Sequence, residues 1–160
     1  MKKFIKDLIP YLIIIVVVVL IRSFIVTPVK VNGSSMNPTL KGNEIMILNK
    51  LGKIDRYDIV VLKLDDADNL IKRVIGLPGE TIEIKNDKIY INGKEINDEY
   101  GYGETSNVSK IKLNNDEYFV LGDNRLVSLD SRTFGPINQK DINGTTDIII
   151  YPFKAFGKVK

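Results

Sequence analysis

From Leu8 to Val26 the chain runs nineteen residues with Arg22 and Ser23 as its strongly polar members, and Tyr11 to Ile21 is uninterrupted apolar sequence. At roughly 1.5 Å per helical residue this stretch spans about 28 Å, close to the hydrocarbon thickness of a bilayer. The pattern predicts a membrane-crossing helix. Arg22 falls near its far end, where a long side chain can snorkel to the headgroups, and Pro10 is expected in the first turn, where a missing N–H costs little. A removable secretory signal also has a basic start and an apolar middle. Here no small-x-small cleavage site follows the run; Ser-Phe-Ile-Val-Thr-Pro-Val does, which favours a retained anchor. Lys2, Lys3 and Lys6 place the short N-terminal side in the cytoplasm. The expected organisation is a cytoplasmic start over 1–7, an anchor over 8–26 and an extracytoplasmic domain over 27–160.

After the anchor the pattern changes to short β-rich runs. Val29 to Val31 leads into a serine-containing turn, Glu44 to Leu48 and Asp58 to Leu64 read as strands, and Leu70 to Ile75 is a third, ended by Gly76-Leu77-Pro78-Gly79. Thr81 to Ile84 alternates with period two, and Lys88 to Ile91 followed by Asn92-Gly93 is a hairpin signal. Residues 97–116 are polar and glycine-containing and read as an exposed loop. Tyr118 to Leu121 and Asp147 to Tyr151 complete the strands, with a helical turn expected over Ile137 to Ile142. Many short strands joined by turns predict a mostly β domain.

Length and charge narrow the class. The 160 residues suffice for one domain with a core. The net charge of +3 resides in the first thirty residues, which carry Lys2, Lys3, Lys6, Arg22 and Lys30 against Asp7; 18 basic and 19 acidic residues remain after them. No basic stripe is left to suggest a nucleic-acid partner.

The candidate chemistry starts at Gly33 to Leu40, G-S-S-M-N-P-T-L, where a glycine and a proline place Ser34 and Ser35 on an irregular, exposed turn. Either hydroxyl is a weak nucleophile until a base takes its proton. The chain contains neither histidine nor cysteine, which excludes a Ser-His-Asp triad, thiol catalysis, disulfides and Cys/His zinc sites. The base must be a lysine, a carboxylate or an amino terminus. Lys72 is one candidate. Strand alternation puts it on one face with Leu70 and Val74, opposite Ile71, Arg73 and Ile75. It is either a solvent-facing lysine on an edge strand or a buried general base. An ordinary lysine is neutral about once in a thousand near pH 7.4, and burial can lower its pKa by about 3 to 5 units.

A second polar cluster, G-D-N-R-L-V-S-L-D-S-R from Gly122 to Arg132, follows the strand at Tyr118. Asp123 and Asp130 can pair with Arg73, Arg125 or Arg132 to form a fixed bracket, and Ser128 or another hydroxyl in it could hydrogen-bond a neutral lysine and aim it.

Together G-S-S-M-N-P-T-L, D-R-Y-D-I-V-V, L-I-K-R-V-I-G-L-P-G-E and G-D-N-R-L-V-S-L-D-S-R resemble, in order, the motifs of type I signal peptidases, especially the short single-anchor form of Gram-positive bacteria. The resemblance implies an all-β catalytic domain of antiparallel strands with one N-terminal transmembrane helix. It also implies a serine endopeptidase with a Ser/Lys dyad, which removes signal peptides from preproteins without metal or cofactor. On this matching Ser35, directly before Met36, is the nucleophile and Lys72 the base. Gly33 stands where some members carry a side-chain hydroxyl, which rules out a side-chain donor from that position and leaves Ser34 as the candidate second oxyanion donor. Arg73, Asp123, Arg125, Ser128 and Asp130 are implied as supporting groups, and Val31, Met36, Leu40 and Ile71 as walls of small pockets for residues at −1 and −3. The implied partners are preprotein signal peptides, the lipid bilayer and the neighbourhood of the secretion channel. A self-cleaving repressor-type Ser/Lys peptidase and a non-catalytic β-domain on a membrane stalk remain as alternatives. Neither explains the anchor together with Ser35, Lys72 and the Gly122 to Arg132 set.

Overall fold

The computed structural model describes residues 2–63 and 69–159, with the backbone alone at 2–6, 21 and 24. The expected strand end at Leu64 and the side chains of Lys2, Lys3 and Lys6 therefore lie outside the described residues.

Helix α1 spans Lys2–Phe24. Pro10 lies inside it rather than in its first turn, because the helix starts eight residues earlier than Pro10 and not at the edge of the apolar run. A proline there removes one i→i−4 hydrogen bond, and the surrounding turns continue past it. The helix stops before Val26, the expected end of the anchor, because Val26 already pairs as the first residue of a strand. Every apolar side chain from Leu8 to Leu20 that the structure describes is exposed. Among the described residues, no helix is long and apolar enough to cross a membrane.

The described strands are, in chain order, β1 Val26–Lys30, β2 Ile45–Asn49, β3 Ile59–Leu62, β4 Leu70–Gly76, β5 Thr81–Lys85, β6 Lys88–Ile91, β7 Lys94–Ile96, β8 Val108–Lys112, β9 Glu117–Leu121, β10 Ile137–Asn138, β11 Ile142–Tyr151 and β12 Gly157–Lys158. They form two antiparallel sheets. The larger has the order β1-β2-β11-β3-β4-β9-β10, with β12 added on β11; the smaller has the order β7-β6-β5-β8. The expectation of a mostly antiparallel β domain agrees with this architecture.

The hairpin at Asn92-Gly93 forms as the sequence requires, with positive φ at both residues (52° and 79°) and Ile91 paired with Lys94. Asn86 and Asp87, also at positive φ, make the same kind of turn between β5 and β6. The segment 97–116 is not simply an exposed loop. It contains β8, whose Ile111 pairs with Ile82 and whose Val108 pairs with Ile84. A register shift between these pairs puts the two half-buried apolar residues of β8 three positions apart, so period-two alternation did not reveal the strand. Over Ile137 to Ile142 the expected helical turn is a short one, Gln139–Asp141, preceded by the two residues of β10. Strand β11 begins at Ile142, five residues before the expected Asp147, since its polar Asn-Gly-Thr-Thr start is held by pairing to β2 and β3.

Three apolar clusters hold the sheets. Ile75, Phe119 and Leu121 of the large sheet pack with Ile82, Ile84, Ile89 and Ile91 of the small one. Val60, Leu62, Val74, Tyr118, Val120 and Ile137 form a second cluster. The third, including Val29, Met46, Val61 and Ile149, lies beneath the serine turn. Strand β4 contributes to all three and is thereby covered on both faces.

Gly144 lies on β11 against the end of β2. A Cβ there would sit 2.3 Å from the Asn49 carbonyl oxygen, and the backbone has φ +150°. Gly144→Ala is expected to force the strands apart and lower stability by about 1–3 kcal/mol, read as a fall in melting temperature. An unchanged melting temperature would show that the strands separate there without cost.

Candidate active site

Lys72 sits at the third position of β4, paired with Val60 of β3 on one side, while β9 pairs with the adjoining residues on the other. It is not on an edge. Only 2% of its surface is exposed, yet its amine is not unpartnered: Nζ lies 2.8 Å from Ser35 Oγ and 3.1 Å from the Ile71 carbonyl oxygen. Thirty-seven residues separate Lys72 from Ser35 in the chain, and the fold closes that gap to one hydrogen bond. The turn that carries Ser35 is fixed by Asn37 N–H donating to the Ser34 carbonyl and Leu40 N–H to the Met36 carbonyl. Ser34 is exposed, while Ser35 is half-buried against Lys72. Among the described residues the Ser35 N–H has no acceptor.

Burial pushes the Lys72 pKa down, from the ordinary 10.5 to about 8. The charges of Asp130 and Asp123 oppose the shift. Each of those carboxylates is already engaged. Asp123 receives Arg73 Nε at 2.8 Å and Nη2 at 2.6 Å, a bidentate pair buried on both sides. Arg73 also lies 3.7 Å from the centre of the Tyr100 ring. Asp130 receives Arg132 Nε at 2.8 Å and the Gly122 N–H at 3.0 Å, and caps the short helix α2, Ser131–Phe134. Burial alone would raise the Asp130 pKa, but the hydrogen bonds from Arg132 and Gly122 hold it below the usual carboxylate value.

The expected bracket therefore exists, with one change of partner. Arg125 pairs with neither Asp123 nor Asp130. Its Nε donates to the Gly122 carbonyl at 2.9 Å, Nη1 to Thr105 Oγ1 at 2.8 Å, and Nη2 to Asp98 at 2.5 Å. Asp98 and Thr105 went unnoticed in the sequence because they lie in the polar 97–116 segment and carry no spacing signal relative to Arg125. Ser128 also differs from expectation. Its hydroxyl is near enough to the Asp130 carboxylate to help keep it ionised, but forms no well-aligned hydrogen bond, and the Lys72 amine takes the Ile71 carbonyl instead. Gly122 explains the packing: a Cβ there would lie 2.1 Å from Ser128 Oγ and 2.6 Å from the Ser35 carbonyl oxygen. No side chain fits between them.

Val31, Met36, Leu40 and Ile71 do come together. All four are buried in the cluster beneath the serine turn, with Leu40 fully so. They form a packed floor beneath that turn. The larger cavities, about 420 Å³ around Asp98 and Arg125 and about 560 Å³ around Glu44 and Tyr151, are lined by neither Ser35 nor Lys72. A polypeptide bound along a strand edge needs a groove and not a deep cavity. Among the described residues, no three histidine, cysteine, aspartate or glutamate side chains converge as metal ligands.

The family model described as signal peptidase, peptidase S26, matches residues 2–151. The chain is 42% identical to signal peptidase I S of Bacillus subtilis over 90% of this chain and 87% of that protein. It is 39% identical to signal peptidase I of Bacillus amyloliquefaciens over 93% and 89%. A crystal structure of a signal peptidase I from Enterococcus faecalis superposes with a TM-score of 0.53 at 32% identity, covering 59% of this chain and 97% of that one.

The displaced pKa has a consequence for stability. A lysine whose folded pKa lies below its unfolded value takes up a proton on unfolding, so its burial costs stability below pH 8 and the cost fades as pH rises from 8 to 10.5. At neutral pH the cost is on the order of 3 kcal/mol. Lys72→Met, which keeps the shape and removes the charge, should therefore melt above the parent at pH 7, with the gap closing near pH 10.5. A variant that melts below the parent at pH 7 would show that the amine is held by favourable contacts.

Proposed function

Because this chain belongs to the signal peptidase family, peptidase S26, and is a serine peptidase that removes signal peptides from preproteins, we propose that Ser35 is its nucleophile and Lys72 its general base. The observation that carries the assignment is a buried amine 2.8 Å from a turn hydroxyl. With a pKa of about 8, roughly a fifth of the Lys72 population is neutral at pH 7.4, against about one in a thousand for an ordinary lysine.

Neutral Lys72 takes the Ser35 proton as Oγ attacks the scissile carbonyl carbon. The resulting ammonium returns that proton to the leaving amine as the C–N bond breaks, and the signal peptide remains as an ester on Ser35. Lys72, neutral again, deprotonates the water that attacks the ester, and the proton passes back to Ser35 Oγ as the acid leaves. The Ser35 N–H is the main-chain oxyanion donor, supported by its lack of any described acceptor. Ser34, exposed on the same turn, offers a side-chain hydroxyl as a second donor. Arg73, Asp123, Arg125, Ser128 and Asp130 hold the geometry and carry no proton in the reaction.

The substrate lies extended beside the serine turn, with its −1 and −3 side chains on the side of Val31, Met36, Leu40 and Ile71. A floor packed this closely leaves room for alanine-sized groups. A charged residue there would lose its hydration without a partner, at a cost of at least a few kcal/mol.

Ser35→Ala and Lys72→Met should each lower preprotein processing at least about 10³-fold with the fold retained by circular dichroism. In the parent, kcat/KM should rise about tenfold per pH unit below 8 and level off above it, since the active form has lost the Lys72 proton. A profile flat from pH 5 to 9 would exclude lysine as the base.

No helix of the described residues is by itself long and apolar enough to cross, but Ile21 and Phe24, whose side chains lie outside them, extend the apolar run in the sequence. On this reading α1 anchors the enzyme in the bilayer, with residues 1–7 cytoplasmic, the crossing segment over 8–24 and the globular part from Val26 outside. Support comes from the exposed apolar side chains of α1 and from the lysines that precede them in the sequence. Preprotein signal peptides, the bilayer and the vicinity of the secretion channel are then its surroundings. External protease on intact protoplasts should digest the globular part and spare the anchor; protection of the globular part would reverse the orientation.

A further inference from the structure

A preprotein has two halves flanking the cut, and the floor beneath Ser35 accounts for one of them. Strand β1 leaves α1 at Val26, and the chain runs through Lys30 and Val31 to the turn at Ser35. It is the outermost strand of its sheet, paired with β2 on one side only among the described strands. With α1 in the bilayer, this open edge leads from the membrane up to the nucleophile. A signal peptide is also held in the bilayer by its own apolar helix, so its chain travels the edge in the same direction. What passes beyond Ser35 is the start of the mature protein.

A cleft of about 260 Å³ is lined by Asn37 and Pro38, which lie past Ser35 in the chain, and by Tyr102. Asn37 and Pro38 follow Ser35 by two and three residues in the chain. Tyr102 is tied to the same place through its backbone: its N–H donates to the Asp123 carbonyl at 2.7 Å and its carbonyl accepts from Arg125 N–H at 2.9 Å. Between those two residues, Asn124 N–H donates to the Ser35 carbonyl at 2.9 Å. The Tyr102 ring is nevertheless 58% exposed, and Leu126, 65% exposed, extends the apolar face beside it. Leu126 can lie there because Gly103 has no side chain; a Cβ would come within 2.5 Å of Leu126 Cγ. The cleft contains no charged lining group.

We propose that this cleft is a subsite for the mature chain, taking the side chain at +2 and favouring aromatic and branched apolar residues. Side chains alternate along an extended strand, so −3, −1 and +2 face the enzyme while −2 and +1 face away. An apolar group at +2 covers Tyr102 and Leu126, and a carboxylate there loses water without a cation to pair with. The proposal rests on the assignment of Ser35 as nucleophile and of the −1 floor, and goes beyond both in naming what selects the residue after the cut.

The test uses the full chain in detergent micelles with synthetic preprotein peptides of one signal sequence, carrying Phe, Leu, Gly or Asp at +2, and a parallel series with Ala or Phe at −1. The parent should cut the +2 Phe and Leu peptides with kcat/KM about tenfold above Gly, the low end of what one apolar group in a pocket contributes, and Asp should fall below Gly. Tyr102→Ala should bring the Phe-to-Gly ratio close to one, Tyr102→Phe should keep it, and the −1 preference for Ala should persist in both. Absence of any +2 preference in the parent, or a ratio indifferent to Tyr102→Ala, would overturn the subsite. The −1 series and Ser35→Ala report separately on the earlier assignment, so a failure there leaves the +2 ratio readable.

Discussion

The structure depends on keeping one amine out of water. As the proposed base, a lysine on a solvated strand would be poor and one at the 2% exposure of Lys72 is useful, and burial is the largest contribution to its lowered pKa. That burial needs neighbours on both sides of β4, which β3 and β9 supply, and apolar cover on both faces, which the three clusters supply. It also needs the nearby acids to be neutralised. An unpaired carboxylate within about 4–6 Å can shift a neighbouring group by 1–3 units. Arg73 on Asp123 and Arg132 on Asp130 blunt that pull, so the net shift stays downward.

The same ion pairs act as geometric clamps. Buried pairs of this kind add little net stability relative to apolar packing, because desolvation offsets much of their attraction, but breaking one strands a charge at a cost of about 3–5 kcal/mol. Arg73 joins β4 to Asp123, two residues past the end of β9, and Asp130 joins the start of α2 to Gly122. Arg125 reaches furthest, linking the Gly122 carbonyl to Asp98 and Thr105, which lie between the strands of the small sheet. Displacement of the small sheet is thus transmitted to Gly122, which lies against the Ser35 carbonyl with no room for a β-carbon. The small sheet is linked to the serine turn through hydrogen bonds as well as through its apolar cluster with Ile75, Phe119 and Leu121.

Much of this was determined by the sequence alone. Period-two runs and positive-φ turn residues identified most strands, because local backbone preference and burial agree there, as at Lys88 to Ile91 with Asn92-Gly93. The absence of histidine and cysteine left a lysine, a carboxylate or an amino terminus as base, and the motif order pointed to the family and, through the resemblance, to Ser35 and Lys72. What only the tertiary structure decided was partnership and exposure. Sequence left Lys72 between an exposed edge and a buried centre, and the strand order put it at the centre. Sequence allowed Arg125 an aspartate in its own cluster, and the fold gave it Asp98, 27 residues away. β8 was hidden because its register shift breaks the alternation that marks a strand, and Ser128 packs on Gly122 without a hydrogen bond to Lys72. The physical reason is common to all four. Local pattern encodes what a residue does to its own backbone, whereas desolvation and pairing depend on groups that chain closure brings together from distant positions.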